Sequence, residues 1–308
     1  MAYADRIKRV LPPVTLEESY SLCRQRALSA LSDWRWSIVN LPRHNQRHLY
    51  PVLALAARTV SLCDIHIART ARLGLLDDLR EDMRNNFMEE ESTDQFPALL
   101  DTLRRYRIPQ QYLHDIVLAA DMCLRIDRFE SFDQWLQFGC RLGGGTLLSA
   151  GPVLGLDDSR HEAAAMACGQ AIWLTWLMGD IGREIQKLEF FLPRGELQKF
   201  SVNLERHNPL APDPSLLHLI RNLAARIEDL FAEGGQVIHG LNRDGQRTLR
   251  SLISVFWNCL QEIKMDPAGI LAAGQSSPTG KPRFRFRFRH LMGLEGGASV
   301  LPAPDSHH

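Results

Sequence analysis

The stretch that most constrains this chain runs from Ile172 to Met178, reads IWLTWLM, and is followed at once by two acids, Asp180 and Glu184. With the alanine-rich residues before it, His161–Met178 is apolar on every side of a helix, so it belongs inside a protein and not on its surface. An α-helix that carried on through the acids would stack Asp180 and Glu184, four apart, on one face within reach of a shared cation. Buried acids cost free energy unless a metal or a positive group neutralises them. The competing reading is a solvated face on which Arg183 and Lys187 pair with the acids at helical spacing. The residues alone leave both readings open.

The rest of the chain is patterned for helices. Thr15 with Glu18 is a capping-box signature, opening a helix that runs to about Ser32. A second helix is expected from near Gln46, with Leu49, Leu53, Ala56, Ala57 and Val60 on one side, continuing past Asp64. Further helices are expected at 72–88, 96–106, 109–127, 130–150, 215–239 and 243–265. The polar run Glu89–Asp94 and the proline-punctuated 208–214 read as loops. Strand signals are scarce before Arg283–Arg289. The fold class is therefore all-α. Acids from Asp77 to Asp82 read as a solvated helix face.

Composition narrows the class further. The 308 residues carry a formal net charge of zero, which removes the electrostatic drive for non-specific nucleic-acid binding. Six cysteines are scattered without a CxxC or Cys/His cluster, the usage of small core residues in a reducing compartment. The first residues lack an apolar signal core, and no segment has the apolar length of a membrane span, so a cytoplasmic protein is expected. No Gly/Ser/Pro-rich linker divides the middle. The expected organisation is a flexible lead-in at 1–13, one helical domain at 14–290, and a Gly/Pro/Ala-rich disordered tail at 291–308.

The segment from Trp173 to Pro193 resembles the second aspartate-rich motif of the squalene/phytoene synthase family, Q-L-x-N-I-L-R-D-V-x-E-D followed by R-x-Y-L-P. Asp180 and Glu184 match two of its acids, and Phe191, Leu192 and Pro193 match its close. Glu189 stands where the family has Arg, Trp173 takes the Gln place, and Trp176 the Asn place. Asp127–Phe138, DRFESFDQWLQF, resembles the family's D-R-Y-E-T-F-D-E-L-x-x-Y. Spacings from Cys23 to Pro42 and from Pro42 to Asp64 equal those of the family's first helix and first acidic motif. That first motif, R-x-x-D-D-x-x-D, aligns with Ala57, Val60, Ser61 and Asp64, so only its last acid survives; Arg58 is one place from its arginine.

The resemblance implies an isoprenoid-synthase-type helical bundle around a central cavity, with Mg2+ held by acids and gripping an allylic diphosphate. Asp180 and Glu184 would be the catalytic metal ligands, with Asp64 as a third. Arg58, Lys187, Arg283 and Arg285 would bind diphosphate. Trp173, Trp176, Trp34, Phe138 and Phe256 would shape an aromatic substrate pocket able to face a carbocation, or else are ordinary core aromatics. Loss of the first acid cluster favours a site for one diphosphate. The expected activity is transfer of a short allylic group, dimethylallyl, onto a small aromatic acceptor such as a carbazole or indole, as in the carbazole-prenylating branch of secondary metabolism. The alternatives are a head-to-head squalene- or phytoene-type synthase and a non-catalytic relative serving in assembly.

Overall fold

The computed structural model describes residues 14–31, 34–63, 69–87, 96–126, 128–156, 159–182, 192–204 and 212–273. Helix α1 (Leu16–Ala30) opens on the capping box legible in the sequence: the Glu18 amide donates to the Thr15 hydroxyl, and the Thr15 amide donates to the Glu18 carboxylate at 2.9 Å. A short helix α2 (Arg35–Ile38) follows, then α3 (Arg43–Leu62), α4 (Arg69–Phe87), α5 (Phe96–Tyr106) and α6 (Gln110–Arg125). α7 (Phe132–Gly139) passes through a π-helical turn at Cys140–Gly144 into α8 (Gly145–Ala150). α9 (Glu162–Gly179) is followed by α10 (Arg194–Lys199), α11 (Pro214–Gly234), α12 (Arg243–Met265) and α13 (Pro267–Ala273). No strand occurs among the described residues.

α9 is the hub. From Ala164 to Met178 nearly every side chain is buried, as expected of a helix apolar all round. It packs on the π-helical turn, on α8, and on α11 and α12. Two close approaches fix its position. A Cβ on Gly169 would overlap the carbonyl oxygen of Gly143, and a Cβ on Gly234 would overlap the backbone of Cys168. Only glycine allows helix backbones so near, and the wider π turn sits at the first of these crossings.

α3 is the second buried helix, with every residue from His48 to Ala57 inside. α1 and α5 cover one side of it and α6 another. At that junction the Tyr20 hydroxyl donates to Asp101 at 2.5 Å and lies 2.8 Å from Nδ1 of His48. Thr102 donates its own hydroxyl to the Ala98 carbonyl, so both it and Tyr20 are left to accept from His48, which fixes the Nδ1–H tautomer.

Several boundaries differ from the sequence expectation. α3 begins at Arg43, directly after Pro42, and ends at Leu62, short of Asp64. The expected single helix at 130–150 is three consecutive helical pieces, because the glycine run takes up the π turn demanded by close contact with α9. The short helices α2, α10 and α13 were not anticipated; four to seven residues carry too little periodicity to be read. The lead-in at 1–13 and the tail at 291–308 lie outside the described residues.

Candidate functional site

α9 delivers Asp180 to the end of a long, largely buried helix. The helix stops at Gly179, and Asp180 leaves helical geometry at φ −101° and ψ 3°. This corrects the expectation of one uninterrupted helix through both acids: Asp180 is the C-cap, and helical conformation resumes at Ile181 and Gly182. A half-buried carboxylate at the negative end of an 18-residue helix stands where a cation is favoured twice over, by the acid and by the terminal carbonyls. Gly182 holds this end against α13, since a Cβ there would press on the carbonyls of Ile270 and Leu271.

The other expected ligands, Glu184 and Asp64, and the expected diphosphate contacts Lys187, Arg283 and Arg285, lie outside the described residues. Among the described residues no group of three or more His, Cys, Asp or Glu side chains is placed to hold a metal. The Asp180 carboxylate is a hard oxygen donor by its chemistry.

Arg58 is committed elsewhere in this conformation. Its guanidinium lies 3.4 Å from Asp82 on α4, and both side chains are largely buried, at 22% and 24% exposed. The acids Asp77, Asp78 and Glu81 are exposed as expected of a solvated face, but Asp82 is not one of them. It turns inward because a buried arginine needs a counter-charge and α3 itself supplies none. Ala57, one of the first-motif positions, is likewise buried, while Ser61 faces solvent.

Four of the five expected pocket aromatics form one cluster. The Trp34 ring is 5.8 Å from Trp173 and 6.3 Å from Phe256, and Trp173 is 5.5 Å from Trp176. Phe138 stands apart, against Phe129 at 5.5 Å. Trp173, Phe256 and Phe138 are 1%, 0% and 1% exposed, so their rings pack on protein and not on open space; Trp176 is the half-buried member. The indole N–H of Trp173 is buried with no hydrogen-bond partner, a polar atom that tight packing leaves unsatisfied.

A wide depression of about 650 Å³ opens beside α7, lined by Glu130, Asp133, Gln134, Gln137, Cys140 and Gln170 among others. It is walled by Glu130–Gln137 and by Gln170 in the middle of α9, about 15 Å along the helix from Asp180 at 1.5 Å per residue. Sequence reading passed over Gln170, although an amide inside so apolar a helix is a legible signal. Its side chain donates to the Leu136 carbonyl at 2.7 Å and ties α9 to α7. None of the cysteines is disulfide-bonded, and burial pushes the Cys168 thiol up to about 12, far from reactive thiolate range. No helix among the described residues is long and apolar enough to cross a membrane.

Comparison with known proteins identifies relatives of this chain. Residues 34–282 match the family model described as squalene/phytoene synthase. The chain is 23% identical over 282 residues to the 15-cis-phytoene synthase of Synechocystis, covering 88% of this chain and 84% of that protein. It is 26% identical over 260 residues to the phytoene synthase of Mycobacterium tuberculosis, covering 82% and 84%. Among solved structures, squalene synthase HpnC from Alicyclobacillus acidocaldarius superimposes with a TM-score of 0.73 at 20% identity, over 82% of this chain and 95% of that one. A dehydrosqualene synthase superimposes with a TM-score of 0.71 at 16% identity, over 83% and 88%.

Proposed function

The chain belongs to the squalene/phytoene synthase family, and from that premise we propose that it ionises a prenyl diphosphate at the C-terminal end of α9 and joins the allylic cation to a second prenyl diphosphate. The observation that carries the reading is Asp180, the family-matched acid, capping a largely buried helix beside apolar Leu177 and Met178. Magnesium, held by Asp180 with Glu184 and Asp64, would supply the charge neutralisation that turns diphosphate into a leaving group. The allylic C–O bond breaks with its electron pair leaving on the diphosphate. The apolar residues of α9 keep water from capturing the cation before carbon does. Lys187, Arg283 and Arg285 are proposed as diphosphate contacts, and Arg58 would join them only after leaving Asp82.

A second reading is favoured by specific features of α3 and of the aromatic cluster. First-motif positions Ala57, Val60 and Ser61 carry no acid, so a second diphosphate lacks its own metal ligands. The unpartnered Trp173 N–H, set between Trp34 and Trp176, offers a hydrogen bond to a polar aromatic molecule once the rings part. On this reading the donor is dimethylallyl diphosphate and the acceptor a carbazole or indole.

The deciding experiment supplies magnesium with farnesyl or geranylgeranyl diphosphate alone, and in parallel dimethylallyl diphosphate with an aromatic panel. A hydrocarbon product in the first arm is expected. Product in the second arm alone would establish aromatic prenylation instead. Silence in both, with no magnesium-dependent diphosphate binding by calorimetry, would leave a non-catalytic family member.

A further inference from the structure

The depression beside α7 takes no part in the prenyl transfer proposed above. At about 650 Å³ it falls within the size range of small-molecule sites, roughly 300–1,000 Å³. Its wall has one sign of charge: Glu130 and Asp133 bring two carboxylates, and the residues that line it include no Lys, Arg or His. Glu130, Asp133 and Gln137, spaced by three and then four residues, share the outward side of α7 and are exposed. Asp133 forms no ion pair with a described residue. Glu130 meets Arg194 at 3.2 Å, but both side chains are more than half exposed, so that pair is weak and leaves Glu130 able to take a second cation. Gln134 steadies this rim, its side-chain oxygen accepting from the Glu130 amide at 2.7 Å.

Gln170 is the side chain that asks for a ligand. It is 9% exposed, on a helix made almost wholly of apolar residues. The Leu136 carbonyl needs a donor, so the amide nitrogen of Gln170 faces it at 2.7 Å and the amide oxygen faces the other way. That oxygen accepts from no described residue, yet it is not sealed in protein, so it opens on the depression that Gln170 lines. An acceptor so nearly buried costs free energy without a donor, and an N–H group brought from outside would satisfy it. Two other ligand classes fail on this wall. A diphosphate would meet two carboxylates and no cation. Magnesium takes an octahedral set of oxygens, and among the described residues no group of three or more His, Cys, Asp or Glu side chains is placed to hold a metal.

We propose that the depression between α7 and the middle of α9 is a binding site for a small organic cation rich in N–H donors, a diamine or polyamine. Its ammonium groups would meet Glu130 and Asp133, its methylenes would lie on apolar Leu136, and one N–H would donate to the free oxygen of Gln170.

The test is calorimetry of the full chain with putrescine, with spermidine and with tetramethylammonium. Saturable one-to-one binding of spermidine is expected, with tetramethylammonium about tenfold weaker or more because it has no N–H to offer Gln170. Glu130→Gln with Asp133→Asn should weaken spermidine by about tenfold. Both positions are exposed, and unchanged melting curves would establish that this variant folds. Gln170→Met keeps the side-chain length but removes the amide, and should weaken spermidine by about fivefold or more. Should Gln170→Met lose the fold with its tie to α7, the exposed pair still decides the matter. Absence of saturable spermidine binding would overturn the proposal, as would full affinity in the Glu130→Gln, Asp133→Asn variant. Tetramethylammonium bound as tightly as spermidine would reduce the effect to general charge attraction, and magnesium displacing spermidine at equal concentration would make the site one for a metal; either result overturns the assignment.

Discussion

α3 and α9 are the two helices on which the family resemblance places its acidic motifs, and their charges are arranged in opposite ways. α9 is buried over most of its length, and it ends in Asp180 at the negative end of its own dipole, where positive charge is favoured. α3 is buried over most of its length and has no acid from Arg43 to Leu62; its inner cation, Arg58, is neutralised by Asp82 from α4. One helix carries an acid at a cation-favouring end; the other carries a cation whose charge is already satisfied. The difference teaches that a part-buried cation on a helix without acids draws its counter-charge from a neighbouring helix, here from Asp82 on α4.

The comparison breaks most severely at the crossing that positions α9. Gly169→Val would drive its side chain into the Gly143 carbonyl, and a loss of more than about 4 kcal/mol is expected, seen as failure to accumulate folded protein. A Gly169→Val variant melting like the parent would show that the close approach does not matter. Next comes Asp180→Asn, which should leave the melting temperature within a degree or two while lowering prenyl transfer on the order of a thousandfold, as loss of a metal-ligand charge would. Equal turnover in this variant would move the cation site off α9.

Removing the counter-charge on the α3 side should be milder. Asp82→Ala is expected to cost about 1 kcal/mol in chemical denaturation, since the pair is part-buried and 3.4 Å apart. If Arg58 is a diphosphate contact in waiting, the same variant tightens substrate binding while it destabilises the fold. The smallest effect concerns the other end of α3. Burial holds the His48 imidazole below its ordinary value of 6.5, with Arg105, Arg47 and His44 adding to the shift and Asp101 opposing it. The native state therefore binds fewer protons than the unfolded chain below that value. Its contribution is complete above about pH 6.5 and is lost as pH falls from there through the folded pKa. Melting curves should decline over that window, and His48→Asn, which keeps the donor at the Nδ1 position, should decline less steeply.

Much of this was legible without coordinates. Helices α5 and α12 begin and end where their apolar period does, and the capping box at Thr15 was readable because its partners are three residues apart. Asp180 was legible because a carboxylate closing so apolar a run stands out against the residues before it and needs a positive partner. Asp82 was not, since its sequence neighbours Asp77, Asp78 and Glu81 are exposed and only the approach of α4 to α3 sets it apart. Nor did the spacing of Trp34, Trp173 and Phe256 announce that they meet, being drawn from three helical regions far apart in the chain.

By itself, the sequence determined an all-helical protein, a central apolar helix, and an acid directly after that apolar run. These follow from interactions spanning three or four residues, for which periodicity is a sufficient record. Only the tertiary structure decided that the helix stops at Gly179, that the glycine run becomes a π turn, and that Arg58 and Asp82 find each other. Each of these depends on two segments competing for the same space or the same charge. Such competition is settled by packing and desolvation between distant residues, and leaves no period in the chain.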